Sequence, residues 1–226
     1  MTTIKKPVTE LEFSKKYDRE HSLNYYLKHQ HGFRHRLTNW REHVMACKGL
    51  RLAGNPQSVL DIPCGAGRFW SLLAADPDRI LYAADNSPYM LETAARFQPA
   101  EIVSRFKCFQ TSAIQIDLPD TSVDCIFCMR LLHHIIKEDD RLAILREFHR
   151  VSRDTVCLSI WVDGNLQAKR RKKLERRRRR QKPKNRTLLA RETAEKEYHR
   201  AGFRILGHFD LAPGISMWRL YVLKKT

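Results

Sequence analysis

Apolar and polar positions change spacing repeatedly along the chain, and each change predicts the end of one secondary-structure element and the start of another. Five short apolar runs rich in β-branched and aromatic residues predict strands: SVLDIPC, RILYAAD, VSRFKCFQ, VDCIFCM and DTVCLSIWV. Helical spacing lies between them in GRFWSLLAA, from Ser87 through Arg96, and from Asp139 to Val151. Strands that alternate with helices are typical of a parallel sheet with helices on both faces, so we expect an α/β fold.

The length and apolar content of the chain fit one globular domain. With 226 residues, of which 42% are hydrophobic, the chain can bury a single core, and the segment Glu10–Leu52 that precedes the first strand reads as helical. The stretch MTTIKKPVTELEF lacks the apolar region of a signal peptide, and no apolar run approaches the length of a membrane span. We therefore expect a cytoplasmic protein.

The cysteines do not have the dense spacing of a secreted disulfide scaffold, so reduced thiols are expected. They stand at Cys47, Cys64, Cys108, Cys125, Cys128 and Cys157. The single C-x-x-C motif, CIFC, lies in a predicted strand, where positions three apart point to opposite faces. No second C-x-x-C completes a zinc site, and we expect buried thiols at this pair and no bound metal.

The stretch VLDIPCGAGRFW predicts a nucleotide-binding crevice, because a strand, a glycine-rich turn and a helix start bring backbone N–H groups close to a ligand. A dinucleotide fingerprint requires a third small residue, and Trp70 stands at that position. A Walker loop requires G-K-[ST], which does not follow. Both of these nucleotide classes are therefore excluded.

The remaining pattern, LDIPCGAGR, resembles the first motif of the class I S-adenosylmethionine-dependent methyltransferases, in particular the bacterial type 11 domain, and the resemblance extends over about residues 58–161. It implies a single Rossmann-like domain with a mostly parallel seven-stranded sheet and helices on both faces. EYHRAGFRILGHFDL and SMWRLYVLKK fit the helix and antiparallel strand pair that close such a sheet. The implied layout is a helical cap or lid at residues 1–52 and a methyltransferase domain at 53–226 with a basic insertion at about 166–187.

Three further stretches resemble the second, third and fourth motifs of this family: AADNSPYML, TSAIQIDLPDTSVDCIF and CMRLLHHI. Asp85 ends the second predicted strand, and its two carboxylate oxygens can accept both ribose hydroxyls. The alternative is that Asp85 caps the helix that begins near Ser87.

The resemblance also implies that the backbone of residues 63–67 holds the methionine part of the cofactor and that Ser112 and the backbone at Ala113 read the adenine edge. Pro63 departs from the glycine that the family usually has, which removes an N–H and fixes φ. The predicted S-adenosylmethionine site comprises Asp61, Pro63, Cys64, Gly65, Ala66, Gly67, Asp85, Asn86, Met90, Ser112, Ala113 and Met129.

Catalytic residues are less clearly marked, because methyl transfer from a sulfonium is an in-line displacement that positioning alone can accelerate. A base is needed only where the acceptor atom carries a proton. His133 and His134 follow the central strand, and either can serve as that base. The alternative is that His134 orients the loop while His133 packs. Arg130 holds an anionic acceptor in one interpretation and is simply solvated in the other.

The N-terminal segment is a second candidate for the acceptor side, since extensions of this kind commonly form a lid in the family. Its candidate side chains are Tyr17, His21, Tyr25, Tyr26, His29, His31 and Trp40. They can stack on an acceptor or bond to it. Alternatively, the segment is a helical cap whose aromatic residues pack on the domain.

The segment Lys169–Arg186 contains thirteen Lys or Arg residues and one Glu, so it carries most of the formal net charge of +17. The expected partner is an anionic surface, either a membrane that holds a lipid-linked or lipopolysaccharide-type acceptor or, as an alternative, RNA. A solvated loop is the third interpretation. Only Leu166 and Leu174 supply apolar surface, so membrane contact is expected to be electrostatic, at the inner face of the membrane.

The sequence therefore predicts a methyltransferase that acts on an oxygen or nitrogen atom of its acceptor. A scaffold that binds S-adenosylmethionine without catalysis is the competing class of function. Asp61, Gly65, Gly67 and Asp85 argue against the scaffold, because a protein that does not use the cofactor has no need of them.

Overall fold

A computed structural model describes residues 33–178 and 186–226 of the protein. The helices are α1 (Phe33–Leu52), α2 (Trp70–Leu73), α3 (Pro88–Phe97), α4 (Ala100–Val103), α5 (Glu138–Val151), α6 (Leu166–Arg178) and α7 (Arg191–Arg200), with a 3-10 turn at Leu132–His134. The strands are β1 (Ser58–Asp61), β2 (Ile80–Asp85), β3 (Phe106–Gln110), β4 (Val123–Cys128), β5 (Ser152–Trp161), β6 (Phe203–Asp210) and β7 (Trp218–Lys225).

The strands form one seven-stranded sheet in the order β3-β2-β1-β4-β5-β7-β6. Strands β1 to β5 are parallel, and β7 is antiparallel to both of its neighbours. The expected α/β fold, mostly parallel with a C-terminal antiparallel pair, is confirmed. Chain order reverses between β1 and β4, and a ligand crevice in such a sheet lies at the carboxyl ends of the strands on either side of that point.

Alternate strand residues enter two separate cores, one on each face of the sheet. Ile126 packs with the apolar residues of α5 and α7 on one face. Its neighbours Cys125 and Phe127 pack with α1, α2 and α3 on the other. The prediction for CIFC is confirmed, because Cys125 and Cys128 are buried free thiols on opposite faces, whereas Cys47 and Cys108 are exposed.

Some predicted boundaries differ from the structure. The helix expected in GRFWSLLAA is limited to Trp70–Leu73, because Gly65 and Gly67 have φ of 54° and 73° and the intervening residues form turns. The first residues of VSRFKCFQ belong to α4 and the turn after it rather than to a strand. Of the predicted helical segment Glu10–Leu52, residues 10–32 lie outside the described residues.

The basic insertion is helical as far as Arg178. Asn165 begins α6, with its Oδ1 2.9 Å from Ala168 N and its Nδ2 2.7 Å from Val162 O. Within residues 33–178 and 186–226, no helix is long and apolar enough to cross a membrane.

Candidate functional site

The turn after β1 is bonded to the end of β2. Cys64 N lies 2.9 Å from Ala84 O, and Gly65 N lies 2.9 Å from Oδ2 of Asp85. Pro63, the departure from the family pattern, follows a cis peptide bond. The predicted contact region for the methionine part of the cofactor thus lies directly against the predicted ribose-binding carboxylate.

Gly67 is required by the packing of the turn itself. A Cβ at this position would lie 2.8 Å from Cδ2 of Trp70 and 2.9 Å from Cγ of Gln98. The Gln98 side chain also donates to Ala66 O at 2.8 Å. Trp70 is fully buried and stacks on Phe106 with ring centroids 4.5 Å apart. The side chains of Trp70 and Gln98 therefore approach Gly67 so closely that a larger residue does not fit there.

The Asp85 carboxylate organises both the turn and the start of α3. Besides Gly65 N, it accepts the N–H of Ser87, with Oδ1 2.9 Å from Ser87 N. Burial raises its pKa to about 6, and hydrogen bonds from the backbone of Ser87, Gly65 and Asn86 oppose that shift. Asp85 thus holds the residue before α3 but does not cap the first turn of that helix, as the alternative had proposed. Each oxygen has capacity for a second hydrogen bond, so the ribose role remains available.

Asp61, at the end of β1, supplies a second buried carboxylate. It is 1% exposed, and its Oδ2 has no hydrogen-bond partner within the described parts of the chain. Burial raises its pKa well above the usual range, the charge of Asp85 adds to the shift, and the Trp70 indole opposes it. S-adenosylmethionine carries a sulfonium and an ammonium cation, so a buried carboxylate oxygen without a partner fits that cofactor.

The other predicted cofactor residues lie at the same edge. Thr111 N donates to Asp85 O at 3.1 Å, which places Ser112 and Ala113, both buried, beside the end of β2. Gln110 Nε2 donates to Asn86 O at 3.0 Å. Buried Met90 lies in α3, and buried Met129 directly follows β4. No observation tests the individual binding roles, which stay predictions.

His133 is buried among aromatic rings and cations. Its ring stacks on Trp161 at 4.4 Å, meets Trp218 edge-on at 4.8 Å and lies 4.0 Å from the ring of His134. Its Nδ1 has no hydrogen-bond partner among the described residues. Burial lowers the pKa of His133 strongly, and the charges of His134 and the nearby arginines lower it further. His133 is therefore a neutral and weak base, whereas His134 is partly exposed.

Arg130 is paired with a carboxylate and is not simply solvated. Its Nη2 and Nε lie 2.7 and 3.2 Å from Oε1 of Glu42, a residue of α1 that is 1% exposed. Its guanidinium also lies over the Trp218 ring at 4.8 Å, and its backbone has a φ of 63°. Glu42 pairs through its other oxygen with Arg68 of the glycine-rich turn. One buried glutamate thus joins α1 to both the turn and the end of β4.

Arginines near both ends of the basic segment lie over the ring of Trp161, at the end of β5. The Arg171 Cζ lies 4.6 Å from the Trp161 ring centroid, and the Arg186 Cζ lies 5.4 Å from it. Thr187 N donates to His133 O at 2.7 Å. The basic segment is therefore anchored beside the histidines, at the carboxyl edge of the sheet.

A groove of about 620 Å³ lies between α1 and the end of β6. Its lining is apolar with some charged groups: Trp40, Arg41, Val44, Met45, Lys48, His208, Phe209, Asp210, Leu211 and Pro213. Of the aromatic and imidazole candidates in the N-terminal segment, only Trp40 is among the described residues, and it is 62% exposed in this groove.

Sequence reasoning missed Glu42, Trp161 and Trp218. The available signal was weak, because a single glutamate in a helix and two tryptophans at strand ends do not form a motif. Their roles depend on contacts between distant parts of the chain. In the described parts, no group of three or more His, Cys, Asp or Glu residues is arranged to hold a metal ion.

Comparisons with known proteins agree with this geometry. A family model described as a methyltransferase domain matches residues 59–155. Demethylmenaquinone methyltransferase of Geobacillus kaustophilus (strain HTA426) is 28% identical over 153 residues, which are 65% of this chain and 59% of that protein. The protein of the same name from Geobacillus stearothermophilus is 27% identical over 148 residues, or 63% of this chain and 57% of that one. The matched part of this chain thus spans less than two thirds of either relative.

Among solved structures, magnesium protoporphyrin IX methyltransferase from Synechocystis PCC 6803 with bound SAH superimposes with a TM-score of 0.73. The alignment covers 94% of this chain and 98% of that chain at 15% sequence identity. At this identity the similarity shows a shared fold.

Proposed function

We propose that the protein is a class I methyltransferase that transfers the methyl group of S-adenosylmethionine to an oxygen or nitrogen atom of an acceptor. The match of residues 59–155 to a methyltransferase domain and the shared fold support this proposal. The observation that carries this proposal is the pair of buried carboxylates, Asp61 and Asp85, at the ends of adjacent strands beside the Gly65 turn. Such an arrangement suits a ligand with ribose hydroxyls at one end and cationic groups at the other.

The residues at the carboxyl edge of the sheet would each have one role in the reaction. Asp85 would accept the ribose hydroxyls while it holds the turn through Gly65 N. Asp61 would face the cationic part of the cofactor. S-adenosylmethionine supplies the activated methyl carbon, so the protein needs mainly to align the acceptor atom with it and to exclude water. Where the acceptor atom carries a proton, we propose His134 as the base, because the lowered pKa of His133 makes it a weak one.

We further propose that the acceptor reaches this edge from an anionic surface that binds the basic segment. The positions of Arg171 and Arg186 over Trp161 support this proposal, since Trp161 also stacks on His133. A lipid-linked or lipopolysaccharide-type acceptor at a membrane fits such an approach. RNA is the alternative acceptor, because phosphate contacts need the same charges.

Two experiments test the function. Calorimetric titration with S-adenosylmethionine should show binding that Asp85→Ala weakens by about 1.5–3 kcal/mol, the range for hydrogen bonds to a charged group. Asp210→Ala is a control carboxylate variant, since Asp210 pairs with Arg219 at the end of β6. An unchanged dissociation constant for Asp85→Ala would remove the ribose assignment.

The second experiment follows a labelled methyl group from S-adenosylmethionine into separated cell fractions. Label in lipid would support the membrane acceptor, and label in RNA would support the alternative. Cofactor binding without label in any fraction would favour the non-catalytic scaffold.

A further inference from the structure

Three exposed aliphatic side chains occur in α6 and in the β6–β7 loop. Leu166, Leu174 and Ile215 are 43%, 51% and 56% exposed. The start of α6 is bonded to the loop, with Leu166 N 3.0 Å from Gly214 O and Gln167 N 2.9 Å from Ile215 O. Ile215 therefore lies beside the first turn of the helix.

The two leucines share one face of α6 with exposed cations. Positions 166, 170, 173 and 174 fall within about 100° of one another around a helix axis. Arg170 and Lys173 are both exposed on this face, and Ala168, on the opposite face, is fully buried. We call the five residues Leu166, Arg170, Lys173, Leu174 and Ile215 the docking face.

Two other cations of α6 contact residues of the protein. Arg171 lies over Trp161 and pairs with Glu175 at 2.8 Å, and Lys172 pairs with Asp163. The charge of the helix is thus divided. One group anchors α6 to the domain, and the group on the docking face points to solvent.

The docking face is on the same side of the molecule as the candidate active site. Helix α6 follows β5, and the loop joins β6 to β7, which run antiparallel, so both features lie at the carboxyl edge of the sheet. A surface bound here would lie at the same edge of the sheet as the crevice between the ends of β1 and β4.

We propose that the docking face binds an anionic lipid bilayer, with Leu166, Leu174 and Ile215 entering the boundary between headgroups and acyl chains. Arg170 and Lys173 contact lipid phosphates at the same depth. A bilayer offers both an anionic and an apolar layer, whereas a nucleic acid offers phosphates but no apolar layer for three aliphatic side chains. The proposal differs from the expectation of purely electrostatic contact, since Ile215 lies beside the first turn of α6 only in the folded protein.

The proposal rests on the proposed function in one respect: the bilayer matters to the reaction only if it holds the methyl acceptor at the edge where the crevice lies.

The test measures co-sedimentation of the full chain with phosphatidylcholine vesicles that contain or lack phosphatidylglycerol. The wild type should bind the anionic vesicles and keep residual binding at high salt. The triple variant Leu166→Gln, Leu174→Gln, Ile215→Gln should bind at least about ten-fold more weakly and lose the residual binding. The double variant Arg170→Gln, Lys173→Gln should bind about 25-fold more weakly, since each cation near such a surface contributes about five-fold.

Matched controls use equivalent side chains away from the docking face. Ile80→Gln removes an isoleucine that is 52% exposed at the start of β2, and Lys107→Gln with Arg204→Gln removes two exposed cations. Both controls should bind vesicles like the wild type. Wild-type binding by the triple variant would overturn the proposal in favour of purely electrostatic contact. Binding to duplex RNA without binding to vesicles would overturn it in favour of a nucleic acid.

Calorimetry with S-adenosylmethionine on the same variants separates this proposal from the proposed function. Vesicle binding without cofactor binding would refute the methyltransferase function and keep the docking face. Cofactor binding and methyl transfer without vesicle binding would refute the docking face alone.

Discussion

The two halves of the carboxyl edge are assembled by contacts of different range. In the cofactor half, at the ends of β1, β2 and β3, Gly65 N bonds to a carboxylate 20 residues away, and Gln98 bonds to Ala66 over 32 residues. In the acceptor half, at the ends of β4 and β5, Arg130 bonds to Glu42 over 88 residues. The cofactor half can be recognised as a motif in the sequence, because the residues that bond to one another there are at most 32 positions apart.

Glu42 is the side chain that connects the halves. It contacts Arg68 in the turn of the cofactor half and Arg130 in the acceptor half. Most contacts of the cofactor half join residues 20 to 32 positions apart, whereas the acceptor half is joined to α1 over 88 positions, and Glu42 links α1 to both halves. Substitutions at the two kinds of contact should therefore have separable effects.

The largest effect is expected for Glu42→Ala. It removes a buried carboxylate that pairs with two guanidinium groups, and breaking a buried ion pair costs about 3–5 kcal/mol. Urea denaturation should show this loss in the free energy of unfolding. Glu101→Ala, on the exposed side of α4, is the control and should stay within about 0.5 kcal/mol of the wild type. A Glu42→Ala value within that range would disprove the connecting role.

The second-largest effect is expected at Gly67, in the glycine-rich turn of the cofactor half. Gly67→Val forces a branched side chain into φ of 73° and into contact with Trp70 and Gln98, so it should destabilise the protein by about 3 kcal/mol and abolish S-adenosylmethionine binding. Denaturation and calorimetry measure the two losses.

The pair Gly67→Ala and Gly54→Ala isolates the contribution of packing, because Gly54 has a φ of 86° but nothing within 4 Å of an added Cβ. Gly54→Ala should cost about 1 kcal/mol, the cost of the left-handed backbone alone. Equal costs at the two positions would show that packing at Gly67 is unimportant.

The third prediction separates the histidines. His134→Gln should lower turnover by about 100-fold with cofactor affinity kept, as expected for loss of a general base. His133→Gln should have a smaller effect on turnover, because the buried, neutral ring is a weak base. Steady-state kinetics with the acceptor that the labelling experiment identifies would measure both. Full turnover in both variants would mean catalysis by positioning alone and an acceptor that is an amine or already ionised.

The smallest effect is a pH dependence in the cofactor half. Because the pKa of Asp85 is raised to about 6, its carboxylate takes up a proton as the pH falls through that value and can no longer accept two hydroxyls. The dissociation constant for S-adenosylmethionine should then rise about ten-fold per pH unit below about 6. The free energy of unfolding changes in the opposite direction with pH. Asp85 contributes most to it at low pH, and that contribution is lost as the pH rises through about 6.

Calorimetry of the wild type and Asp85→Asn across this range checks the assignment. The variant should bind more weakly and lose the dependence near pH 6, and any dependence that remains would come from Asp61, whose pKa is also raised. A wild-type affinity that is constant through pH 6 would show that Asp85 does not titrate at the site.

Features that depend on neighbouring residues could be predicted from the sequence. The alternation of strands and helices gave the α/β class, and the motif resemblance gave the sheet with its antiparallel end. Asp85 was found because it ends the second predicted strand, and the carboxyl ends of parallel strands meet at one edge. Asp61 was found through the resemblance of LDIPCGAGR to the first motif of the family. The short α2 was not foreseen, because two glycines in the left-handed region replaced its first turn.

Only the tertiary structure decided which distant side chains meet. Glu42, Trp161 and Trp218 belong to different elements, and no short pattern connects them. The environment of His133 was equally hidden, since its lowered pKa arises from burial and from charges on separate segments. The docking face needed the fold as well, because Ile215 joins Leu166 and Leu174 only after β6 and β7 have paired. Local sequence fixes backbone conformation and the periodicity of burial, whereas packing alone determines contacts between residues that are far apart in the chain.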